Sequence, residues 1–497
     1  MPGIGAYPVG KAKLDLGQGI FQSNRRSWDA VLEKFTEALE TVSSEGDDVS
    51  QQRHQAKGQL LARDRVALLL DHDSPFLELA QFAGHGLDST PCASLIAGIG
   101  TVCGKICMII CHIPSIKGGA WNEYTILKHN RATEIATENH LPVIGLVQAA
   151  GAFLPQQFRV FHRAGQMFRD LARRSRDGMA SCSVVFGSST AGGAYLPGLS
   201  DYTIFVRNQA QVFLGGPPLV KMATGEVVDA ETLGGATMHA TVTGLADQIA
   251  PDEFDAIRKA REWVHALQIP ASFKSSILKP LSPRYPAEDL LSLVNTDIRK
   301  PFDMGEVVLR LVDDSRVAVF KPEYGKNLLT GFAEIHGSSA EREGIIKKGA
   351  QFVSAVSCSK VPQISIVLGS SYGAGNYAMC GRAYQPRFLF TWPSGRCSVM
   401  GPDQLAGVMG IVKDGSQARK IKEGLTPNTK ASSSAESAEE TRRMVERQSE
   451  SYYTSAHLLD DGIIDPRDTR EILGMCLEVV HVDGFEGSQN HQGLARL

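Results

Sequence analysis

Two glycine-rich turns in the sequence carry the residues best suited to chemistry. In the first, an apolar run over residues 183–186 ends on Gly187, and a Ser-Ser-Thr segment leads into Ala191-Gly192-Gly193. We predict a buried strand, a tight turn and a helix that begins on small residues. The first amide N–H groups of a helix have no internal partner, and glycine lets the backbone approach a ligand closely. Such a turn can stabilise an oxyanion with main-chain donors alone.

The same pattern recurs in the second half of the chain. Residues 365–368 are followed by Gly-Ser-Ser and then by a second glycine-rich turn that contains Ala374 and Gly375. The recurrence predicts an internal duplication with two anion-stabilising turns, one at Gly192 and Gly193 and one at Ala374 and Gly375. An alternative is that both are well-packed strand–helix corners without a ligand. Two copies in register favour a shared active site.

Length and composition indicate a large two-domain protein. A chain of 497 residues is too long for one ordinary core, and a segment rich in Pro, Ser and Lys over residues 269–286 is typical of a linker. We therefore place one domain at residues 1–285 and a second at residues 286–497. The net charge of −3 gives no reason to expect nucleic acid as a partner.

The cysteines and the longest apolar region indicate packing. Nine cysteines are scattered without a signal peptide, which is typical of free thiols in a reducing compartment. Cys103, Cys107 and Cys111 are evenly spaced, but their surroundings predict two strands joined at Gly104, so we expect them to pack and to bind no metal. Charged residues and glycines within residues 95–113 argue against a membrane span. The sequence contains no HExxH, Walker A or Rossmann motif.

Periodicity predicts alternating helices and strands, hence an α/β fold. We expect a helix over residues 28–42 that is capped by Ser27. The other predicted helices are residues 60–71, 125–138, 159–174 and 345–357, and a buried strand is predicted over residues 142–147. Lys128 and Arg131 lie three residues apart on one helix face. They could bind phosphates, or they could belong to a solvated basic face.

The second half departs from the plan of the first. Upstream of its predicted helix lie only residues 330–339, and nothing there resembles the strand and small-residue loop of residues 141–155. The second unit is therefore expected to be truncated.

Several longer motifs together resemble one protein family. The sequence is similar to the carboxyltransferase (non-biotin, β) subunits of biotin-dependent acyl-CoA carboxylases, and within them to the β subunit of methylcrotonyl-CoA carboxylase. The resemblance covers nearly the whole chain from about Arg53. The matching motifs are Lys117-Gly118-Gly119, Gly151-Ala152-Phe153-Leu154-Pro155, Ala191-Gly192-Gly193-Ala194-Tyr195, Gly216-Pro217-Pro218, Gly373-Ala374-Gly375-Asn376-Tyr377 and Asp460-Asp461-Gly462-Ile463-Ile464-Asp465-Pro466.

The resemblance implies a fold, a reaction and an assembly. It implies two crotonase-like domains, each a superhelix of β-β-α units, which pair between neighbouring subunits of a homo-hexamer. The first domain would hold an acyl-CoA such as 3-methylcrotonyl-CoA, and the second would receive carboxybiotin. Biotin would be carried by a biotin-carboxylase and biotin-carrier α subunit, which alone would use ATP and bicarbonate. This chain has no Met-Lys-Met biotinylation motif and no P-loop.

The resemblance also assigns roles to residues. Gly192 and Gly193 would stabilise the thioester enolate, and Ala374 and Gly375 would stabilise the biotin ureido oxygen. The residues expected to bind substrate are Lys117, Gly118, Gly119, Lys128, Arg131, Gly151, Ala152, Phe153, Tyr195 and Tyr377. Between Gly337 and Glu341, however, the chain lacks a strand–helix–strand and a glycine loop that family members carry. A missed exon, a non-catalytic paralogue or a repurposed enzyme would each explain this gap.

Two further questions stay open in the sequence. Gly-x-Ser-x-Gly around Ser371, with Asp403 or Asp414 and then His457, has the chain order of a serine hydrolase, although the first copy of the repeat offers no such motif. The C-terminal Ala-Arg-Leu tripeptide is related to the peroxisomal Ser-Lys-Leu signal, whereas the family resemblance implies the mitochondrial matrix.

Overall fold

One large sheet occupies the first half of the molecule. The computed structural model describes residues 7–87, 90–267, 280–297, 299–320, 322, 328–336, 338–341, 356–357, 359, 361–404 and 434–481. The strands of this sheet are β1 (Phe76–Glu78), β2 (Leu95–Val102), β3 (Lys105–His112), β4 (Val143–Ala149), β5 (Ser181–Thr190), β6 (Tyr202–Val206), β7 (Gln211–Phe213) and β8 (Gln248–Ala250). Their order is β1-β2-β3-β4-β5-β6-β8, and β7 pairs with the end of β5. Strands from β3 onward run parallel, which confirms the predicted α/β class.

Helices cover both faces of this sheet and connect its strands. In chain order they are α1 (Gly19–Ser43), α2 (Asp48–Gln55), α3 (Ala62–Leu69), α4 (Glu123–Glu138), α5 (Gln157–Arg176), α6 (Tyr195–Gly198), α7 (Pro217–Thr224), α8 (Ala230–Gly234), α9 (Ala236–Met238), α10 (Glu253–Ala266), α11 (Leu290–Leu293) and α12 (Met304–Leu309). Among the described residues no helix combines the length and the apolar character that crossing a membrane would need.

The second half contributes shorter strands in smaller sheets. They are β9 (Val317–Val319), β10 (Gly331–Ile335), β11 (Ser338–Glu341), β12 (Ile364–Val367), β13 (Ser370–Tyr372), β14 (Phe388–Thr391) and β15 (Arg396–Ser398). The helices are α13 (Ala374–Ala378), α14 (Ser434–Ser449), α15 (Ser451–Ala456) and α16 (Thr469–Val480). Strand β12 pairs in parallel with β14, and β13 pairs in parallel with β15. In the first sheet β5 pairs in the same way with β6 and, further along, with β7.

Local side-chain bonds explain where two helices begin. Helix α4 starts two residues before the predicted position because the Asn122 side chain accepts from the backbone N–H of Thr125, while the Thr125 hydroxyl accepts from the Asn122 N–H. Helix α1 starts at Gly19, so the predicted cap at Ser27 is wrong: Ser27 lies inside the helix and its hydroxyl donates to the carbonyl of Asn24. The predicted helix over residues 345–357 lies largely outside the described residues.

The two halves share a hydrophobic core. The Trp28 ring of α1 packs edge-on against Trp392, which follows β14, with ring centroids 6.1 Å apart. Residues of β2, β3 and α4 belong to the same buried cluster as Phe388 and Phe390 of β14 and Val479 of α16. The evenly spaced cysteines fall on the β2–β3 hairpin as predicted, and Cys107 and Cys111 are buried there.

Candidate active site

The first glycine turn begins where β5 ends. Strand β5 continues through Gly187 to Thr190, beyond the apolar run of residues 183–186, because residues 188–190 pair with β7. A single 3-10 turn, Ala191–Ala194, then leads into α6. Gly192 occupies its second position, where an amide N–H has no acceptor within the turn. The third amide, that of Gly193, faces the carbonyl of Thr190 in the i→i+3 pattern, so Gly192 is the freer donor of the two.

A second free amide lies beside this turn. Gly151 follows β4, is buried, and adopts a φ of 83°, which favours glycine. A Cβ atom at Gly151 would come within 3.0 Å of the Thr190 carbonyl oxygen, which places the loop directly against the end of β5. Among the described residues the N–H of Gly151 has no hydrogen-bond acceptor. Because buried backbone N–H groups are almost always paired, this donor is suited to a ligand oxygen.

A third loop closes the same region. Lys117, Gly118 and Gly119 all have positive φ, and a Cβ at Gly119 would overlap the backbone oxygen of Gln148 at 2.3 Å. The carbonyl of Gly118 accepts from the N–H of Ala150 at 3.0 Å. Lys117 is exposed at its rim, with Nζ 4.6 Å from the centroid of the Phe153 ring. The structure therefore brings together the 117–119, 151–153 and 191–195 segments.

Trp121 supports two of these segments at once. Its backbone N–H donates to the carbonyl of Gly151, and its carbonyl accepts from the N–H of Phe153, each at 2.8 Å. Its ring lies under the turn, since a Cβ at Gly192 would come within 3.0 Å of it. The indole N–H donates to Nε2 of His112 at 3.0 Å. Burial lowers the pKa of His112 to about 4, so this imidazole stays neutral and can accept that bond.

Aromatic side chains border the first turn. Tyr195, at the start of α6, is half exposed, and its ring contacts Phe168 with centroids 5.0 Å apart. On α5 and the turn before it, Leu154, Phe158 and Phe161 are 77%, 74% and 73% exposed. Such a contiguous apolar stripe is typical of a surface that another protein covers. We call residues 154, 158 and 161 the α5 stripe.

The second glycine turn has the same plan with a break in the strand. Strand β13 ends at Tyr372, Gly373 adopts a φ of 64°, and α13 begins at Ala374. Among the described residues, a Cβ added at Gly375 would meet nothing within 4 Å, so this part of the chain leaves the first turn of α13 uncovered at Gly375. The Asn376 side chain donates to the hydroxyl of Ser371 at 3.0 Å and ties the helix back to β13. Tyr377 is half exposed and contacts the ring of Tyr384.

The expectation for the basic pair on α4 needs correction. Lys128 is 1% exposed, and its Nζ contacts Cys92. Arg131 donates through Nε and Nη2 to the two carboxylate oxygens of Asp461, at 2.8 and 3.1 Å. Neither side chain forms a solvated basic face, and both have interior partners that occupy them. We therefore remove Lys128 and Arg131 from the substrate-binding set.

Asp461 joins the two halves beside the second turn. Besides Arg131 of α4 it accepts from Nη2 of Arg382, which follows α13, and from the backbone N–H of Leu389 in β14. Burial alone would raise the pKa of Asp461, but the two guanidinium groups outweigh it and hold the pKa at about 2. Within the described part of the chain the neighbouring Asp460 forms no ion pair: burial raises its pKa to about 7, although it accepts from the Thr391 hydroxyl.

The serine-hydrolase alternative is not supported. Ser371 lies within β13, and its hydroxyl accepts from Asn376. Nδ1 of His457 lies 2.8 Å from the carbonyl of Tyr453 in its own helix, and Asp414 lies outside the described residues. Ser371 and His457 share no hydrogen bond in the described part of the chain, so the residues of the motif do not form a triad.

Some residues of the site region escaped sequence reasoning. Trp121 and His112 carry no motif that distinguishes them from ordinary core residues. Asp461 belongs to a motif that the family resemblance singled out, but nothing in the sequence indicates that it would bind Arg131, 330 positions away. Free backbone amides, such as that of Gly151, have no side-chain signal at all.

Comparison with known proteins shows the family. The Carboxyl transferase domain family matches residues 53–340 and 335–486. The chain belongs to this family. A probable biotin-dependent acyl-coenzyme A carboxylase beta2 subunit of Mycobacterium tuberculosis is 42% identical over 531 aligned positions, which cover 95% of this chain and 98% of the relative. The mitochondrial methylcrotonoyl-CoA carboxylase beta chain of Arabidopsis thaliana is 39% identical, covering 95% of this chain and 89% of the relative.

A solved structure extends this likeness to the fold of the carboxyl transferase. The crystal structure of the P. aeruginosa geranyl-CoA carboxylase beta subunit superposes with a TM-score of 0.85 at 35% identity, covering 99% of this chain and 100% of that one. The expected resemblance to β subunits of acyl-CoA carboxylases is thereby confirmed. The two family matches meet at residues 335–340, the region where the sequence predicted a missing segment.

Proposed function

We propose that this chain is the carboxyltransferase subunit of a biotin-dependent acyl-CoA carboxylase. The observation that carries the proposal is the N–H of Gly151, which has no hydrogen-bond acceptor among the described residues and lies on a loop packed against the turn that contains Gly192. Two main-chain donors on neighbouring loops are suited to an oxygen on which negative charge develops, and they need no reorganisation when it does. Gly193 lets the turn pack against β5 and β4, since a Cβ there would come within 2.9 Å of the Ser189 hydroxyl.

The two turns divide the chemistry between them. When bound, carboxybiotin supplies the carboxyl group and a ureido anion that can take the substrate proton. The N–H groups of Gly192 and Gly151 would donate to the thioester oxygen of a bound acyl-CoA, and those of Ala374 and Gly375 would donate to the ureido oxygen of biotin. The open space at Gly375 leaves room for a planar ring to approach the first turn of α13. The chain mainly positions two reactants and aims amides at developing charge.

The surrounding residues suit an acyl-CoA in the first half. Gly118, Gly119 and Ala152 bring backbone close to the first turn, and Lys117 with Phe153 offers a cation and a ring beside it. Tyr195 and Tyr377 lie exposed beside the two turns. The relatives favour a branched unsaturated substrate such as 3-methylcrotonyl-CoA.

The repeated strand pairing supports an origin by internal duplication. Strand β12 with β14 and β13 with β15 repeat the pairing of β5 with β6 and β7, as the two sequence repeats predict. We infer two crotonase-like domains with a boundary near residues 285 and 286. The first sheet lies wholly before that boundary, and β9 to β15 lie after it.

The exposed α5 stripe supports assembly with further copies of this chain. We infer a homo-hexamer in which this stripe is covered by a neighbouring subunit, together with a biotin-carrying α subunit that uses ATP and bicarbonate. Relatives named as mitochondrial favour the mitochondrial matrix over the peroxisome. The net charge of −3 gives no reason to expect a nucleic acid as a partner, and none of the described helices could cross a membrane.

One observation favours a second candidate, a non-catalytic or repurposed subunit. The alignment with the Mycobacterium relative spans 531 positions, 34 more than the 497 residues of this chain, so at least that many positions face no residue here. With the family match divided at residues 335–340, this supports the loss of a segment from the second domain. A subunit that lacks it would bind acyl-CoA in the first half but transfer carboxyl groups poorly.

Reconstitution separates these candidates. The purified chain is mixed with a biotinylated α subunit, ATP, labelled bicarbonate and 3-methylcrotonyl-CoA, and acid-stable product is measured beside acyl-CoA binding by calorimetry. Transfer with binding supports the carboxyltransferase, whereas binding without transfer supports the non-catalytic subunit. Absence of both would refute the proposed acyl-CoA site.

A matched pair of variants tests the first turn. In Gly192→Ala the methyl group presses on Trp121 and moves the donor by a few tenths of an ångström, so kcat should fall about 10- to 100-fold. In the control Gly198→Ala the methyl group meets nothing within 4 Å, and kcat should not change. Equal activity of the two variants would contradict a role for the Gly192 amide.

A further inference from the structure

A buried lysine–cysteine contact lies apart from both glycine turns. Nζ of Lys128 on α4 is 2.8 Å from Sγ of Cys92, which precedes β2, and both residues are 1% exposed. Sulfur is larger than oxygen, yet this separation is that of an ordinary N–H···O hydrogen bond. The two atoms are therefore closer than an N–H···S contact requires, and a single bridging atom would span the distance between them.

The backbone holds the two groups together. Cys92, Ala93 and Ser94 have φ values of 51°, 56° and 56°, a left-handed run without a glycine. A side chain rarely adopts this conformation without strain, so the surrounding contacts must maintain the turn. One of them is a 2.7 Å hydrogen bond from the hydroxyl of Thr125, also on α4, to the carbonyl of Ala93. Helix α4 thus fixes the turn and carries Lys128 to its sulfur.

The surroundings bring the ammonium of Lys128 to the sulfur of Cys92, which also contacts the carbonyl of Leu95 at 3.3 Å. Within the described residues, the hydrogen bonds of the Lys128 ammonium go only to the sulfur and the carbonyl of Cys92. Glu78 lies 3.6 Å from the sulfur but is bonded to Arg63 at 2.9 Å. A thiol is oxidised by a peroxide at its sulfur, and an adjacent amine can then be oxidised at nitrogen as it bonds to the sulfenic oxygen.

We propose that Cys92 and Lys128 form a covalent S–O–N cross-link on exposure to hydrogen peroxide. One peroxide oxidises the thiol to a sulfenic acid and leaves as water. A second peroxide oxidises the nitrogen as the sulfenic oxygen bonds to it, with loss of two more water molecules. One thiol, one amine and two peroxides thus give the bridge and three waters, and four electrons pass to the peroxides. Two dithiol molecules return the thiol and the amine with release of one water.

The proposed cross-link does not depend on carboxyl transfer, and mass spectrometry of tryptic peptides can detect it. After peroxide treatment of the full chain, trypsin should fail to cleave at Lys128 and should release peptide 66–105 joined to peptide 118–131. Their joined mass should exceed the sum of the two free peptides by about 14 mass units, the gain of one oxygen and loss of two hydrogens. Treatment with dithiothreitol before digestion should remove the joined species.

Variants identify the two atoms involved. Cys92→Ala and Lys128→Met should each abolish the joined peptide, and Cys103→Ala, which changes another thiol of the same peptide, should retain it. Should Lys128→Met fail to fold, the Cys92 and Cys103 variants still decide the question. Separate peptides with Cys92 as a thiol or sulfonic acid, or a joined species that lacks the extra oxygen, would overturn the proposal.

Discussion

The same substitution at two adjacent buried carboxylates should change stability in opposite directions. Asp460 has a folded-state pKa of about 7, whereas an unfolded aspartate titrates near ~3.9. Between these pH values the folded chain holds a proton that the unfolded chain has released. The free energy of unfolding therefore falls as pH rises through this window, by about 1.4 kcal/mol per pH unit at most, and the loss is complete above pH 7.

Asp460→Asn removes this penalty and keeps a polar group beside Thr391. At pH 8 we expect the variant to be more stable than the wild type by on the order of 2–4 kcal/mol, with almost no difference at pH 4. Asp461→Asn is the matched control. Because the pKa of Asp461 is depressed to about 2, its contribution is present above about pH 4 and is lost only as pH falls towards 2.

Urea unfolding of both variants between pH 4 and pH 8 provides the measurement. Asp461→Asn leaves Arg131 and Arg382 buried without their carboxylate, so it should lose about 3–5 kcal/mol at pH 8. A loss of stability in Asp460→Asn at pH 8, or a difference from the wild type that does not vary with pH, would refute the assignment of a protonated Asp460.

Three further predictions concern activity and packing. Gly375→Ala places a methyl group where the biotin ring would approach, so carboxyl transfer from the biotinylated partner should fall at least tenfold while acyl-CoA binding is unchanged. Gly369→Ala is the control, because a Cβ there also meets no described atom within 4 Å. Equal transfer rates of the two variants would contradict the role of the second turn. Insertion near residue 340 of the absent segment from a full-length relative should raise the rate of carboxyl transfer at least about a hundredfold, which corresponds to roughly 3 kcal/mol of transition-state stabilisation. Equal rates before and after insertion would show that the loss of the segment is harmless. Trp121→Phe removes the 3.0 Å bond to His112 and should cost about 1 kcal/mol in thermal unfolding with a lower kcat; an unchanged kcat would limit Trp121 to packing.

Local rules predicted much of the fold. The alternation of apolar runs with helical periods located β4, α4 and α5 to within two residues, because those elements are set by burial on one sheet. The recurrence of a glycine turn predicted the two candidate sites and their order. The end of β5 was missed because its last residues are polar, and only their pairing with β7 keeps them extended.

The candidate site was less predictable than the fold. The meaning of Lys128 and Arg131 depended on partners far away in sequence, Cys92 and Asp461, which no helical pattern indicates. Free amides such as that of Gly151 depend on where a loop lies relative to a neighbouring strand. Sequence spacing identifies glycines that can approach a ligand, but the tertiary structure decides which N–H is left without a partner.

The shared core affects how the protein is made. Trp28 is fully buried, and its neighbours include the ring of Trp392 and the carbonyl of Val294, to which its indole donates. At the usual 5–20 residues per second, a ribosome needs roughly 20 to 70 s to pass from one tryptophan to the other. During that time the apolar face of α1 lacks its final packing partner and is open to chaperones. The first half of the nascent chain therefore cannot finish folding until most of the second half has emerged.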